Sequence, residues 1–206
     1  MQDHCFISYS TADGVDFLQN LVRELEGGTP YIPAWYDTRN IPPGTNWDDE
    51  IVDSIKACKC MLFVMSTDST KPSSDCRKEI LFALRYKKPI VPLLIHKNAE
   101  PIFMIATREW IDFSDFNVGL GKLRKYIQEL DLPVGQLRLL KERLADAEHD
   151  LRRDTGEEAK RLKAEIEDLN KELKKKKKIA DNPQAAQEQT QKNIEAGLER
   201  ERQPEK

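Results

Sequence analysis

Aromatic residues are missing from the C-terminal third of this 206-residue chain. All fifteen Phe, Tyr and Trp residues lie before position 135, and about half of the 72 residues that follow are charged. Such a composition cannot bury enough apolar surface to build a core of its own. We therefore expect one globular domain in the first two thirds of the chain, followed by an extended, charged appendage.

Metal-binding and disulfide motifs are absent as well. The chain has four cysteines and three histidines: Cys5, Cys58, Cys60, Cys76, His4, His96 and His149. Their spacing fits neither a disulfide framework nor a zinc site, so we predict reduced, buried thiols and no metal. The segment "GLGKL" at residues 119–123 lacks the spacing and the preceding strand of a phosphate-binding loop.

The chain also lacks a long apolar run and an excess of charge of one sign. No segment approaches the roughly 18 apolar residues of a membrane-spanning helix, and a strand-like "HCFISYS" leaves no room for a signal peptide. A cytoplasmic protein without membrane contact is the simplest expectation. The formal net charge of −3 does not indicate a nucleic-acid binder. The run Lys174 to Lys178 favours a solvated helix end, with a membrane or RNA contact as the alternative.

What the first 130 residues do contain is a repeated alternation of strand and helix patterns. The predicted strands are "HCFISY", "IPAWYD", "CMLFVMS", "KPIVPLLI" and "REWIDF". "CMLFVMS" has no charge, which is typical of a central parallel strand buried on both faces. Five alternations predict an α/β fold, a parallel sheet between helices. Ligands of such sheets bind outside the carboxyl ends of the strands.

The appendage has a helical pattern. Leucines recur at spacings of three and four residues up to Leu151, and the pattern resumes at Leu162. Gly156 predicts a helix stop, and Thr155 with Glu158 forms a capping box, which favours a helical hairpin over one continuous coiled coil. The predicted organisation is a domain at 1–131, a coiled coil or helical hairpin at 135–178, and a charged, partly disordered linker at 179–206.

Four segments, in this order and at these spacings, give the domain a family resemblance: "FISYSTAD", "WYDTRNIPPGTNW", "FVMS" and "SSDCRKEI". Residues 4 to about 130 resemble a TIR (Toll/interleukin-1 receptor) domain. The resemblance implies a flavodoxin-like three-layer sandwich with a five-stranded parallel sheet. The tail "LRLLKERLADAEHDLRR" is similar to the segment that joins bacterial TIR domains to signalling NTPase modules. It implies a bacterial-type, N-terminal fragment of such a protein, acting in signalling or antiphage defence.

The resemblance leaves two functions open. Some TIR domains cleave the nicotinamide–ribose bond of NAD+ with a glutamate early in the third helix, and Glu79 occupies that position. The nicotinamide ring of NAD+ is a pyridinium cation and departs as a neutral molecule. The general acid of ordinary glycoside hydrolysis is therefore not required. One anion that stabilises an oxocarbenium-like transition state can suffice. NAD+ is then the substrate, and no cofactor is expected. The alternative is a non-catalytic adaptor.

The resemblance also implies residues that line the NAD+ site: Tyr9, Ser10, Asp37, Trp47, Asp75 and Cys76. Structural alternatives remain for several of them, since Tyr9 and Trp47 also suit a core and Asp37 suits a turn. Asp75 stands where many catalytic members carry an aromatic residue. Homotypic assembly is expected through the BB loop, which the match assigns to Ile41, Pro42, Pro43, Gly44 and Trp47. A phosphoacceptor receiver domain is disfavoured, because "FISYS" and "FVMS" lack its acidic residues.

Overall fold

The computed structural model describes residues 4–40, 47–106, 108–152 and 154–181. The chain divides into two compact units, Met1–Arg124 and Lys125–Lys206. Within the described residues, the first unit holds five strands: β1 (Cys5–Ser8), β2 (Ala34–Trp35), β3 (Cys60–Met65), β4 (Ile90–Leu94) and β5 (Ile111–Asp112). All neighbouring strands pair in parallel, in the order β2-β1-β3-β4-β5. The predicted flavodoxin-type sheet is confirmed.

Helices alternate with these strands and continue into the second unit. They are α1 (Val15–Gly27), α2 (Asp37–Asn40), α3 (Trp47–Ala57), α4 (Cys76–Arg85), α5 (Phe116–Glu129), α6 (Pro133–Leu151) and α7 (Glu157–Ala180), with a short 3-10 helix at Phe103–Ile105. None of the helices in the described part of the chain is long and apolar enough to cross a membrane.

The second strand is shorter than the sequence pattern predicts. "IPAWYD" predicts a strand over residues 32–37, but only Ala34–Trp35 pairs with β1. The amide of Tyr36 donates a hydrogen bond to Asn40 Oδ1 at 3.1 Å, and the amide of Asn40 donates to the Tyr36 carbonyl at 3.2 Å. These bonds turn the backbone into α2. Asp37 therefore begins a helix instead of ending a strand.

A buried apolar cluster fixes α3 and α4 against the sheet. Met61 and Phe63 of β3, Ile55 of α3 and Ile80 and Ala83 of α4 are each fully buried. Burial of Ile80 and Ala83 sets the rotation of α4 about its axis, because residues three apart share a helix face. The neighbouring stripe of α4 then faces α3, and Leu81 is 53% exposed.

The cysteines are buried, unpaired thiols, as the sequence predicts. Cys5 and Cys60 lie opposite each other on β1 and β3, with their sulfur atoms 3.6 Å apart in a hydrogen bond. Burial raises the pKa of Cys58 to about 12. Such thiols are unreactive at neutral pH.

The second unit contains a helical hairpin. α6 and α7 pack through a small apolar cluster: Leu140, Leu144, Ala147, Ile166, Leu169 and Leu173. Lys176 near the end of α7 donates a hydrogen bond to Gln136 near the start of α6, so the two helices are antiparallel. Gly156 has a φ of +74°, which favours glycine and separates the helices. The lysine run lies in the last turns of α7 and is mostly exposed, as predicted for a helix end.

Candidate functional site

Glu79 lies in the first turn of α4, and one of its carboxylate oxygens is in an unusual environment. Its Oε2 atom is buried and has no hydrogen-bond partner among the described residues. Burial raises the pKa of Glu79 to about 8, and the nearby carboxylates of Asp37 and Asp75 act in the same direction. Buried carboxyl groups are normally hydrogen-bonded, so an orphaned one is a candidate for binding a ligand.

Ser8 is a polar neighbour of this carboxyl group on the sheet. It is the last residue of β1, it is 1% exposed, and its hydroxyl opposes the rise in the pKa of Glu79. Yet Ser8 Oγ also makes no hydrogen bond of regular geometry within the described residues. Two buried polar atoms without partners thus come from one strand end and one helix start, where parallel sheets bind ligands.

Glu79 opens onto a pocket between α3 and α4. The pocket has a volume of about 210 Å³ and is lined by Asp48, Ile51, Val52, Asp75, Lys78, Glu79 and Phe82. We call these seven residues the Glu79 groove. Spacings of three and four residues place each set on one face of its helix, so the groove follows from the packing of two amphipathic helices.

A second polar cluster lies after β1, β3 and β4, and in it every acid is bonded. Asp13 accepts hydrogen bonds from the Ser66 hydroxyl at 2.6 Å and the Asp68 amide at 2.9 Å, and it lies 3.6 Å from His96 Nδ1. Asp68 accepts a 2.6 Å bond from Ser10 Oγ and pairs with Lys71. Lys71 first, and then Ser10, lowers the pKa of Asp68. We call these six side chains the Asp13 network.

Comparison with known proteins decides the family. The family model described as "TIR domain" matches residues 5–124, more than half of the chain. The chain belongs to the TIR-domain family. No curated protein matches it.

Two solved structures show the same fold at low sequence identity. The TIR domain of the Toll-related receptor TRR-2 from Hydra magnipapillata is 24% identical, with a TM-score of 0.52, covering 60% of this chain and 97% of that one. The TIR domains of the activated Roq1 resistosome, which recognises the pathogen effector XopQ, are 16% identical, with a TM-score of 0.50, covering 61% of this chain and 99% of that one. These likenesses support the fold of the TIR domain.

The predicted residues nearest to Glu79 have different surroundings. Asp75 precedes α4, lines the Glu79 groove and accepts a 2.7 Å bond from Lys78. It makes no capping hydrogen bond; instead, Ser74 Oγ accepts the amide of Cys76 at 3.3 Å. Cys76 is 3% exposed, and burial raises its pKa to about 11. The structure places this neutral thiol in the core behind Glu79, outside the lining of the groove.

The other predicted residues of the TIR domain have three different environments. Asp37 is near enough to raise the pKa of Glu79. Tyr9 is half-buried, with its ring edge-on to Tyr36 at 6.4 Å between centroids. Ser10 belongs to the Asp13 network, where its hydroxyl also accepts the amide of Ala12 at 3.1 Å. Its hydrogen bonds therefore hold the loop after β1.

Part of the predicted site lies outside the described residues. Four BB-loop residues, Ile41, Pro42, Pro43 and Gly44, fall in the undescribed segment 41–46. Trp47 begins α3, but its side chain is not among those described. Within the described part of the TIR domain, no three His, Cys, Asp or Glu side chains form a group that could hold a metal ion.

Sequence reasoning missed six residues of this site: Ser8, Asp48, Ile51, Val52, Lys78 and Phe82. A signal exists for Phe82, because it follows Asp75 and Glu79 at the spacing of one helix face. Ser8 gives no such signal. Every residue of β1 is buried, so hydrophobic alternation cannot show which side chain meets the site.

Proposed function

We propose that this TIR domain hydrolyses the nicotinamide–ribose bond of NAD+, with Glu79 as the catalytic residue. The observation that carries the proposal is that Glu79, a residue lining the Glu79 groove, has a buried Oε2 atom without a partner in the described residues. The products are nicotinamide and ADP-ribose or a cyclic variant. The family includes members that cleave NAD+ and members that act as adaptors.

The chemistry needs one negative charge and no proton donor at the leaving group. The bond between ribose C1′ and the ring nitrogen breaks, and its electron pair neutralises the pyridinium. Positive charge then develops on the ribose, where the Glu79 carboxylate can stabilise it. Water attacks C1′ and loses a proton, which gives ADP-ribose; attack by a hydroxyl of the substrate gives a cyclic product. A lone carboxylate is consistent with this reaction, whereas two are typical of other glycoside hydrolases.

The raised pKa of Glu79 makes the reaction dependent on pH. In the empty groove a pKa of about 8 leaves the carboxyl group mostly protonated at pH 7. A cationic nicotinamide ring beside it favours the ionised form, because an opposite charge lowers the pKa of a carboxyl group. Substrate binding is therefore expected to release a proton from Glu79 and to generate the catalytic anion.

Assembly forms the second part of the proposal. TIR domains generally assemble with one another, and we propose that the BB loop, residues 41–44 with Trp47, mediates this contact and completes the site of a neighbouring copy. Pro43→Ala should then lower both the sedimentation coefficient of concentrated protein and its NAD+ turnover. Unchanged sedimentation would remove the BB loop from the contact.

The test of the activity is chromatography of NAD+ incubated with concentrated protein. We expect Glu79→Gln to lower nicotinamide release by about 100-fold or more, the usual loss when one electrostatic stabiliser is removed. Glu50→Gln is the matched control, because Glu50 is an exposed acid in the first turn of α3. Equal release by the parent and Glu79→Gln would refute the catalytic role. The adaptor function would then remain, with assembly as its activity.

A further inference from the structure

The lining of the Glu79 groove contains more than the catalytic carboxylate. Lys78, Glu79 and Phe82 of α4, with Asp75 directly before the helix, form one wall, and three residues of α3 form the opposite wall. The aromatic ring expected four positions before Glu79 is absent, since Asp75 stands there. Phe82 lies three positions after Glu79 on the same face, and it is the one aromatic residue among the described residues that line the groove.

The apolar part of the groove suits a flat ring. Ile51 and Val52 of α3 lie in the wall facing α4, and Phe82 is half-buried with part of its side chain against the core. Packing against the core restrains Phe82, so its ring offers a fixed surface for stacking. Aromatic rings stack on such surfaces, and a positively charged ring gains further from the negative face of the phenyl group.

The charges of the groove favour a cation. Three acids line it, Asp48, Asp75 and Glu79, against one lysine. That lysine, Lys78, already donates a 2.7 Å hydrogen bond to Asp75. With Glu79 ionised, the groove has an excess of negative charge, which disfavours phosphate and attracts a positively charged group.

The volume limits how much of a ligand can enter. Pockets that enclose drug-sized molecules measure roughly 300–1,000 Å³. The Glu79 groove has a volume of about 210 Å³, so its described walls accommodate one end of a dinucleotide. Apolar walls, negative charge and small size together match an N-ribosylated pyridinium ring.

We infer that Phe82 stacks on the cationic nicotinamide ring and, with Asp48 and Asp75, makes the Glu79 groove selective for a positively charged N-substituted pyridinium. The inference rests on the proposed function for the identity of the substrate. It adds a specificity-determining residue to the reaction: Phe82 binds the leaving ring, and Glu79 stabilises the ribose cation.

The kinetic test compares Phe82→Leu with Phe82→Tyr. Leucine keeps the apolar contact with the core but removes the aromatic face, whereas tyrosine keeps that face. We expect Phe82→Leu to raise KM for NAD+ about tenfold, with a smaller change in kcat. Phe82→Tyr should have a KM within about twofold of the parent value. Equal KM values for the parent and both variants would overturn the inference.

A binding test separates this inference from the proposed function. The probe is 1-methylnicotinamide, a pyridinium cation that is not cleaved, with neutral nicotinamide as the control, titrated by NMR into the parent and both Phe82 variants. The parent and Phe82→Tyr should bind the cation more tightly than nicotinamide, and Phe82→Leu should lose most of that preference. An unchanged preference in Phe82→Leu would overturn the inference even if Glu79 cleaves NAD+. A preference that depends on Phe82, in a protein without NAD+ turnover, would support the ring site and refute the hydrolase.

Discussion

The Asp13 network and the Glu79 site both follow strand ends of one sheet, but their carboxylates have opposite hydrogen-bonding states. Asp13 and Asp68 accept bonds from Ser66, Ser10 and a backbone amide at 2.6–2.9 Å. Glu79 leaves a buried oxygen without a partner in the described residues. The bonded acids join the loops after β1 and β3. The unpartnered oxygen of Glu79 lowers the stability of the fold and remains available to a ligand.

The pKa shifts show the same difference. Lys71 and then Ser10 lower the pKa of Asp68, so that carboxylate stays charged in the folded protein. Burial raises the pKa of Glu79 to about 8, so folding favours its protonated form. The types of neighbouring residue do not distinguish Asp68 from Glu79, because each acid lies near a lysine and a serine. Geometry separates them, and substitutions can test which acid supports the fold and which supports the chemistry.

The largest expected change in stability comes from Asp13→Ala. It removes the partners of the Ser66 hydroxyl, which is fully buried, and of the Asp68 amide. One fully buried and one half-buried donor left unpaired cost about 2–4 kcal/mol in the free energy of unfolding. Urea denaturation measures the loss, with Asp16→Ala, an exposed acid of α1, as the control. A loss below about 0.5 kcal/mol would show that the network does not stabilise the fold.

Glu79→Gln should have the opposite effect on stability. The folded pKa of Glu79 is about 8 against an ordinary pKa of 4.5 for glutamate, so the folded state binds the proton more tightly. The parent therefore loses stability as pH rises from about 5 to about 8, by at most about 1.4 kcal/mol per pH unit.

The variant removes this loss and should be more stable by about 1–3 kcal/mol at pH 7, with little difference at pH 4.5. Thermal unfolding of both proteins across this range provides the measurement. A parent and variant with parallel pH profiles would show that Glu79 is not buried as a proton-binding group.

Ser10→Ala should weaken the Asp13 network by a smaller amount. The variant loses the 2.6 Å bond to Asp68 and the acceptor of the Ala12 amide, which together contribute about 1–2 kcal/mol. The pKa of Asp68 should rise, because Ser10 lowers it. Urea denaturation and an NMR titration of the Asp68 carboxyl carbon measure the two effects. An unchanged pKa of Asp68 would place Ser10 outside the network in solution.

The smallest effect is expected from Ser8→Ala. Its hydroxyl makes no regular hydrogen bond in the described residues, so its removal should change stability little. It does oppose the rise in the pKa of Glu79, and the variant should therefore release that proton at higher pH than the parent. An NMR titration of Glu79 in both proteins measures the direction of this change in pKa. A shift to lower pH would contradict the assigned position of Ser8.

Repetition allowed the sheet and its flanking helices to be predicted from the sequence. A short apolar run in such an alternation predicts a buried strand. "CMLFVMS" coincides with β3, whose six residues are all buried. "IPAWYD" was less informative, because the side chain of Asn40 bonds the amide of Tyr36 and turns the chain into α2. A local side-chain contact of this kind does not appear in hydrophobic periodicity.

The candidate site was less predictable because it depends on the orientation of individual side chains. Glu79 was expected from the family pattern, but its unpartnered oxygen and raised pKa follow from the packing of α4 onto the core. Ser10 and Cys76 occupy motif positions, yet Ser10 bonds Asp68 and Cys76 is buried behind the groove. Phe82 has the helical spacing of a groove residue, but a core position on α4 would have the same spacing.

The pH dependence of NAD+ cleavage tests the central claim most directly. The quantity is kcat/KM for nicotinamide release between pH 6 and pH 9, measured on the parent, Glu79→Gln and Glu50→Gln. We predict that the parent and Glu50→Gln increase in activity through a pKa near 8, because kcat/KM follows ionisation of the free enzyme. Glu79→Gln should be about 100-fold slower and independent of pH. An active Glu79→Gln with the pH profile of the parent would contradict the account.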